Sequence, residues 1–218
     1  MKNIPAPQAV IFDWDNTLID NWGAITDALN KVRAMHGLET WTVPEARVKS
    51  ARPLRVSFPE WFGDKWESMR DIFYDHFYAV HIEQLMVMKG ALELLTFLHE
   101  QKIPMFIVST KKNEILNKEV DHLGWRPFFK AIIGSMDCER DKPNRMPVDC
   151  ALASVGMKAD DPAVWFVGDT HADVECSLRS GCTPVLVGDI GVAQGLGLRL
   201  HFFDCNALKN WINNYTYT

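Results

Sequence analysis

Five short apolar runs separated by amphipathic segments constrain the fold of this 218-residue chain more than any other feature. They occupy residues 9–13 (AVIFD), 105–109 (MFIVS), 131–134 (AIIG), 164–168 (VWFVG) and 184–187 (PVLV). Hydrophobicity that is continuous over so few residues marks strands covered on both faces, as in a parallel sheet. Between the later runs the apolar residues switch to helical spacing. Residues 91–101 carry Leu92, Leu95 and Leu98; 114–123 carry Ile115, Leu116 and Val120; 148–155 carry Val148, Ala151, Leu152 and Val155. A further helical segment, 173–180, ends before Gly181, a residue suited to the left-handed position that follows a helix. Strand–helix–strand repetition of this kind predicts an α/β fold, a Rossmann-like parallel sheet with helices on both faces.

The repetition is interrupted after the first run. Residues 20–88 hold no convincing strand. Trp22, Ile25, Leu29 and Val32 recur at helical spacing, and Phe62, Trp66, Met69, Phe73, Phe77 and Val80 form a long apolar stripe at intervals of three and four. Such a stripe reads as the internal core of a helical bundle; Trp41, Trp61 and Trp66 read by default as packing within that bundle, or alternatively as lining the cleft between it and the rest of the chain. About seventy residues are too many for an ordinary loop. The expected organisation is a core domain made of residues 1–19 and 89–218, with a helical cap domain of residues 20–88 inserted after the first strand.

Composition narrows the class of partner. The net charge of −5 and the lack of a basic run argue against nucleic acid, which is held through positive patches. Cys138, Cys150, Cys176, Cys182 and Cys205 are odd in number and widely spaced, without CxxC. That fits reduced thiols in a cytoplasmic protein better than disulfides or a zinc cluster. No HxH or HExxH occurs among the seven histidines. Neither a signal peptide nor an apolar stretch approaching the ~20 residues of a membrane span is visible, so no membrane partner is expected.

Four polar elements fall at or just beyond the carboxyl ends of predicted strands: Asp13-Trp14-Asp15-Asn16-Thr17, Ser109-Thr110, Lys142-Pro143 and Gly168-Asp169-Thr170-His171-Ala172-Asp173. Open parallel sheets bind ligands at that edge. Helix capping alone explains Ser109 or Asp169. It does not explain two acids two residues apart after a buried strand, together with a GDxxxD after another. Four carboxylates gathered in one crevice repel one another, and a divalent cation relieves the repulsion.

In order and in strand position, DWDNT, the apolar run ending in VST, DKP and GDTHAD resemble the four motifs of the haloacid dehalogenase-like superfamily. The resemblance covers nearly the whole chain. The insert looks like that superfamily's first type of helical cap, and the layout is most similar to its phosphoglycolate phosphatase-like branch. The resemblance implies a Mg2+-dependent phosphatase acting on a small phosphorylated metabolite through an aspartyl-phosphate. Asp13 is then the nucleophile and Asp15 the acid and base. The metal is held by the carboxylates of Asp13 and Asp169 and the backbone carbonyl of Asp15, with Asp173 holding a water or adding a ligand. Lys142 pairs with Asp13 and the phosphoryl oxygens, and Ser109 donates its hydroxyl to the transferring group. Asp15 bears on reaction type: an alkoxide leaving group needs a proton, whereas a halide does not. Thr17 is expected to fix the turn after the first strand.

Two positions depart from the family pattern. Asn16 stands where Gly is common, and Asn tolerates the unusual backbone angles of such a turn. Thr110 stands where an amide is usual, which leaves a substrate contact from that position open. His171 lies between two metal-binding acids, as a substrate contact or as an exposed helix-start residue. Arg52 and Arg55, in the basic stretch 49–55, are candidate contacts to an anionic part of the substrate when the cap closes, or alternatively a solvated helix end. Rival readings are a β-phosphoglucomutase-like phosphotransferase, a phospho-receiver module, against which the insert and GDxxxD argue, and a noncatalytic descendant. Oligomeric state is left as monomer or homodimer.

Overall fold

The structure, a computed structural model, describes residues 4–50, 54–193 and 198–216. In chain order its elements are β1 (Ala9–Phe12), β2 (Ile19–Asp20), α1 (Trp22–Met35), α2 (Val43–Lys49), α3 (Leu54–Phe62), α4 (Trp66–Val80) and β3 (Met86–Val87), then α5 (Ala91–Glu100), β4 (Met105–Lys112), α6 (Asn113–His122), β5 (Phe129–Ser135), α7 (Met146–Ala153), β6 (Val164–Gly168), α8 (His171–Arg179), β7 (Thr183–Val187), β8 (Leu200–Phe202) and α9 (Cys205–Thr216). The chain divides into two compact units, Met1–Ile19 with Val87–Thr218, and Asp20–Met86.

The first unit is built on a six-stranded sheet ordered β5-β4-β1-β6-β7-β8, parallel throughout. Each of the five apolar runs lies in one of its strands. The sixth strand, β8, and helix α9 have no counterpart among the sequence expectations. β8 is three residues long with alternating exposure, as an edge strand allows, so continuous hydrophobicity is not imposed on it. On one face, Ala9, Ile11, Phe106, Val108, Val164 and Phe166 pack against Val148, Ala151 and Leu152 of α7 and Cys176 of α8. On the other, Trp165 meets Trp211 of α9 with ring centroids 5.7 Å apart, and α9 packs on α5. All four residues of β1 are buried, which is why its sequence reads as apolar without alternation.

The second unit is helical. α4 packs along α1 and α3. Phe58, Phe62, Phe73 and Phe77 form its aromatic core, with Phe58 edge-on to both Phe62 and Phe73. Trp41 and Trp61 pack edge to face 5.3 Å apart, and the Arg33 guanidinium lies 3.7 Å from the centre of the Trp41 ring. The start of α2 is fixed by a capping box between Thr42 and Glu45. The stretch 20–88 is not free of strand: β2 and β3, two residues each, pair at its two ends. Pairs that short carry no periodicity for a sequence to display. No helix among the described residues is long and apolar enough to cross a membrane.

Candidate active site

The carboxyl ends of β1 and β6 and the loop after β5 bring Asp13, Asp169, Asp173 and Lys142 together within the first unit. Asp13 follows β1, and its backbone N–H donates to Val167 in the neighbouring β6. The next turn is tight: the Asn16 N–H donates to the Ile19 carbonyl at 2.6 Å, and Leu18 N–H to Trp14. Asn16 takes the left-handed conformation, φ 61°, that the sequence position demands. Thr17 is buried and does more than hold the turn. Its hydroxyl donates to Asp169 Oδ1 at 3.3 Å, tying the first motif to the fourth.

Lys142 is the hub. Its ammonium donates to Asp13 Oδ1 and to Asp173 Oδ1, each at 2.6 Å, and its side chain is 3% exposed. Asp173 sits one turn into α8, where the capping box with Thr170 uses its other oxygen. Thr170 donates both its N–H, at 2.9 Å, and its hydroxyl, at 2.5 Å, to Asp173 Oδ2. The GDxxxD segment is therefore at once a helix cap and the anchor for the lysine. Gly168 is obligatory for its size, because a Cβ there would come 2.4 Å from Asp173 Cβ and 2.5 Å from its Cγ.

Asp13, Asp169 and Asp173 each offer a carboxylate oxygen within 4.8 Å of the others. Burial raises the Asp13 carboxyl to about 7; Lys142 pulls it down, while Asp173 and Asp15 push it further up. Burial, then Asp13 and Asp173, raise Asp169 to about 8. Burial works against the charge on Lys142, but Asp13 and Asp173 outweigh it and hold the ammonium above its ordinary range. Three carboxylates thus share one cation, and the site is short of positive charge. The donors are hard oxygens, with neither thiolate nor imidazole in the group, which is the ligand chemistry of Mg2+. The residues present fit that ion.

Ser109 is buried within β4, and its hydroxyl accepts the Lys111 N–H at 3.1 Å. Thr110 is exposed beside it. His171 is the first residue of α8 and exposed, its Nδ1 3.9 Å from Glu175, as a helix-start residue would be. Arg52 lies outside the described residues, and Arg55 is described only as part of the backbone of α3. The site also contains residues that sequence reasoning missed. Lys111 pairs with Asp15 at 2.7 Å and with Glu119 at 2.7 Å. The sequence signal for Glu119 was present: it is a charged residue on the helical face of Ile115, Leu116 and Val120, and it is fully buried.

A six-stranded parallel sheet with a carboxylate cluster and a lysine at its carboxyl edge defines a hydrolase class that the comparisons identify. The sequence profile of the haloacid dehalogenase-like hydrolases matches residues 10–187. The chain belongs to that family. It is 30% identical over 184 residues to the pyrophosphatase PpaX of Halalkalibacterium halodurans, covering 82% of each chain. It is 27% identical over 214 residues to the phosphoglycolate phosphatase of Yersinia pseudotuberculosis, covering 94% of this chain and 90% of that one. Among solved structures, a HAD-superfamily hydrolase from Ehrlichia chaffeensis is 27% identical with a TM-score of 0.69, over 98% of this chain and 100% of that one. A haloacid dehalogenase-like protein from Streptococcus pneumoniae, 19% identical, shares the fold with a TM-score of 0.82 over 94% and 98% of the two chains. Within the family the chain is an enzyme of the phosphatase type.

Proposed function

We propose that this enzyme is a Mg2+-dependent phosphomonoesterase that works through an aspartyl-phosphate on Asp13, with 2-phosphoglycolate as its substrate. The observation that carries this reading is the meeting of Asp13, Asp169 and Asp173 around Lys142, with Asp15 two residues from the nucleophile. The named activities of the phosphoglycolate phosphatase and PpaX relatives support the substrate class.

Asp13 attacks phosphorus, and the bond from phosphorus to the leaving oxygen breaks. Asp15 gives its proton to that oxygen, a transfer worth typically ~10²–10⁴-fold. Asp15 then takes a proton from the water that attacks the phosphorus of the Asp13 ester, which releases inorganic phosphate and restores Asp13. Lys142 holds the Asp13 carboxylate in place and offsets charge on the phosphoryl oxygens. Ser109 donates its hydroxyl to the same group. Asp13, Asp169 and the Asp15 backbone carbonyl, with Asp173 adjoining, would hold Mg2+, which would supply the charge that lets one anion approach another. The five cysteines are free, and burial pushes Cys176, Cys182 and Cys205 up to about 12. Free, unpaired thiols fit a reducing, cytoplasmic setting.

The test is hydrolysis of 4-nitrophenyl phosphate with Mg2+, with chelator, and with Asp13→Asn. Activity is expected only for the wild type with Mg2+, and full activity of Asp13→Asn refutes the mechanism. A panel of phosphometabolites scored by kcat/KM should place 2-phosphoglycolate first. Preference for inorganic pyrophosphate would overturn the substrate while leaving the mechanism intact.

A further inference from the structure

A second ionic cluster adjoins Asp15, and the chemistry above makes no use of it. Lys111 is the penultimate residue of β4, with its side chain 5% exposed. Its ammonium donates to Asp15 Oδ1 and to Glu119 Oε2. Glu119 Oε2 also accepts the indole N–H of Trp14 at 2.7 Å. Trp14 is the residue between the two catalytic acids and is fully buried. The result is a closed circuit: Asp15 to Lys111, Lys111 to Glu119, Glu119 to Trp14, and Trp14 back to Asp15 through the peptide bond.

Stability is a poor reason for such a circuit. A buried ion pair costs desolvation that its attraction barely repays, and an apolar pair of similar volume often serves as well. Orientation is a better one. Side-chain exposure rises from 0% at Glu119 through 5% at Lys111 to 31% at Asp15. The circuit is anchored in the core and presents one carboxylate at its open end. Proton transfer requires that carboxylate within hydrogen-bond reach of the leaving oxygen. Misplacement by about 1 Å can cost ~10²-fold.

We propose that Lys111, held by Glu119 and Trp14, is a positioning residue that aims the Asp15 carboxylate at the leaving group. The proposal rests on the reading of Asp15 as proton carrier. Lys111 acts through Asp15 and needs no contact with substrate. Its effect therefore scales with how much the leaving group depends on a proton.

The experiment compares 2-phosphoglycolate, whose alkoxide needs the proton, with 4-nitrophenyl phosphate, whose phenolate hardly does. Rates and melting temperatures are taken for wild type, Lys111→Met, Lys111→Arg, Glu119→Gln, Asp15→Asn and the double variant Lys111→Met with Asp15→Asn. Lys111→Met should lower kcat on the alkyl ester by about 10- to 100-fold more than on the aryl ester, with KM little changed. Lys111→Arg should recover part of the loss. In the Asp15→Asn background Lys111→Met should cost nothing further. Equal loss on both esters, or the same loss once Asp15 is replaced, overturns the proposal. Should Lys111→Met not fold, Glu119→Gln keeps an acceptor for Trp14 but removes the charge that fixes Lys111. An unchanged ratio of the two esters in that variant is equally fatal. A slow Asp15→Asn beside an indifferent Lys111→Met sinks only the positioning role, whereas a fully active Asp15→Asn sinks the proton-carrier reading along with it.

Discussion

Asp173 grips Lys142 with one carboxylate oxygen, at 2.6 Å, while its other oxygen caps the helix that carries it. The lysine facing Asp13 is thus braced by a group with a fixed backbone address. Lys142→Met is expected to lower kcat by about 10²–10³-fold, the usual cost of deleting a preorganised charge at a reacting centre. Lys142→Arg should not restore it, because a planar guanidinium cannot occupy the place of a point charge between two carboxylates. Steady-state rates on 4-nitrophenyl phosphate check both.

The pH dependence of stability carries a sign that can be tested without any assay of activity. Asp13, near 7, and Asp169, near 8, sit above the ordinary carboxyl value of 3.8. In that window the folded chain keeps protons that the unfolded chain has already lost, so stability falls as pH rises. In chelator, the melting temperature should drop between pH 5 and pH 8. Mg2+ should remove most of that drop and raise the melting temperature more at pH 8 than at pH 5, since protons and metal compete for the same oxygens. An equal shift at both values would mean that the ion binds elsewhere.

Gly168→Ala should be far more damaging than its size implies. The added methyl would meet the Asp173 side chain at 2.4–2.6 Å, at the foot of the anchor for Lys142. Overpacking of this kind typically costs about 1–3 kcal/mol. Urea denaturation measures that cost. Activity should fall below what the loss of folded protein accounts for.

Thr170→Ala removes the side chain that caps α8 and one donor to Asp173. A lost cap costs about 1 kcal/mol. Thr170→Ser keeps the hydroxyl and should recover both stability and rate, which distinguishes capping from mere bulk at this position.

Much of this arrangement was legible in the sequence because parallel sheets leave two plain marks. Strands covered on both faces read as unbroken apolar runs, and ligand groups follow their carboxyl ends. Asp13, Ser109, Lys142 and Asp169 follow from that logic, and the geometry brings Asp13, Lys142 and Asp169 together with Asp173. The links between motifs were not legible. Nothing in the spacing of Thr17 and Asp169, 152 residues apart, announces their hydrogen bond. Nor does an apolar run ending at Ser109 announce that β4 continues to Lys112 and so carries Lys111 into ordered structure. Glu119 was passed over because helical periodicity counts apolar residues, and its burial comes from the tertiary partners Lys111 and Trp14. β8 escaped because an edge strand of three residues is under no demand for two apolar faces.

The position of β1 bears on how the protein is made. The strand that leads to Asp13 is made before the other five strands of its sheet, yet Ile11 pairs with Phe106 on one side and Phe166 on the other. At about 5–20 residues per second, its second neighbour emerges roughly ten to thirty seconds later. Until then, four consecutive apolar residues wait with at least one flanking strand missing, the kind of segment that chaperones shield. A nascent chain that ends short of Asp173 already holds Asp13 and Asp15 but not the carboxylate that braces Lys142.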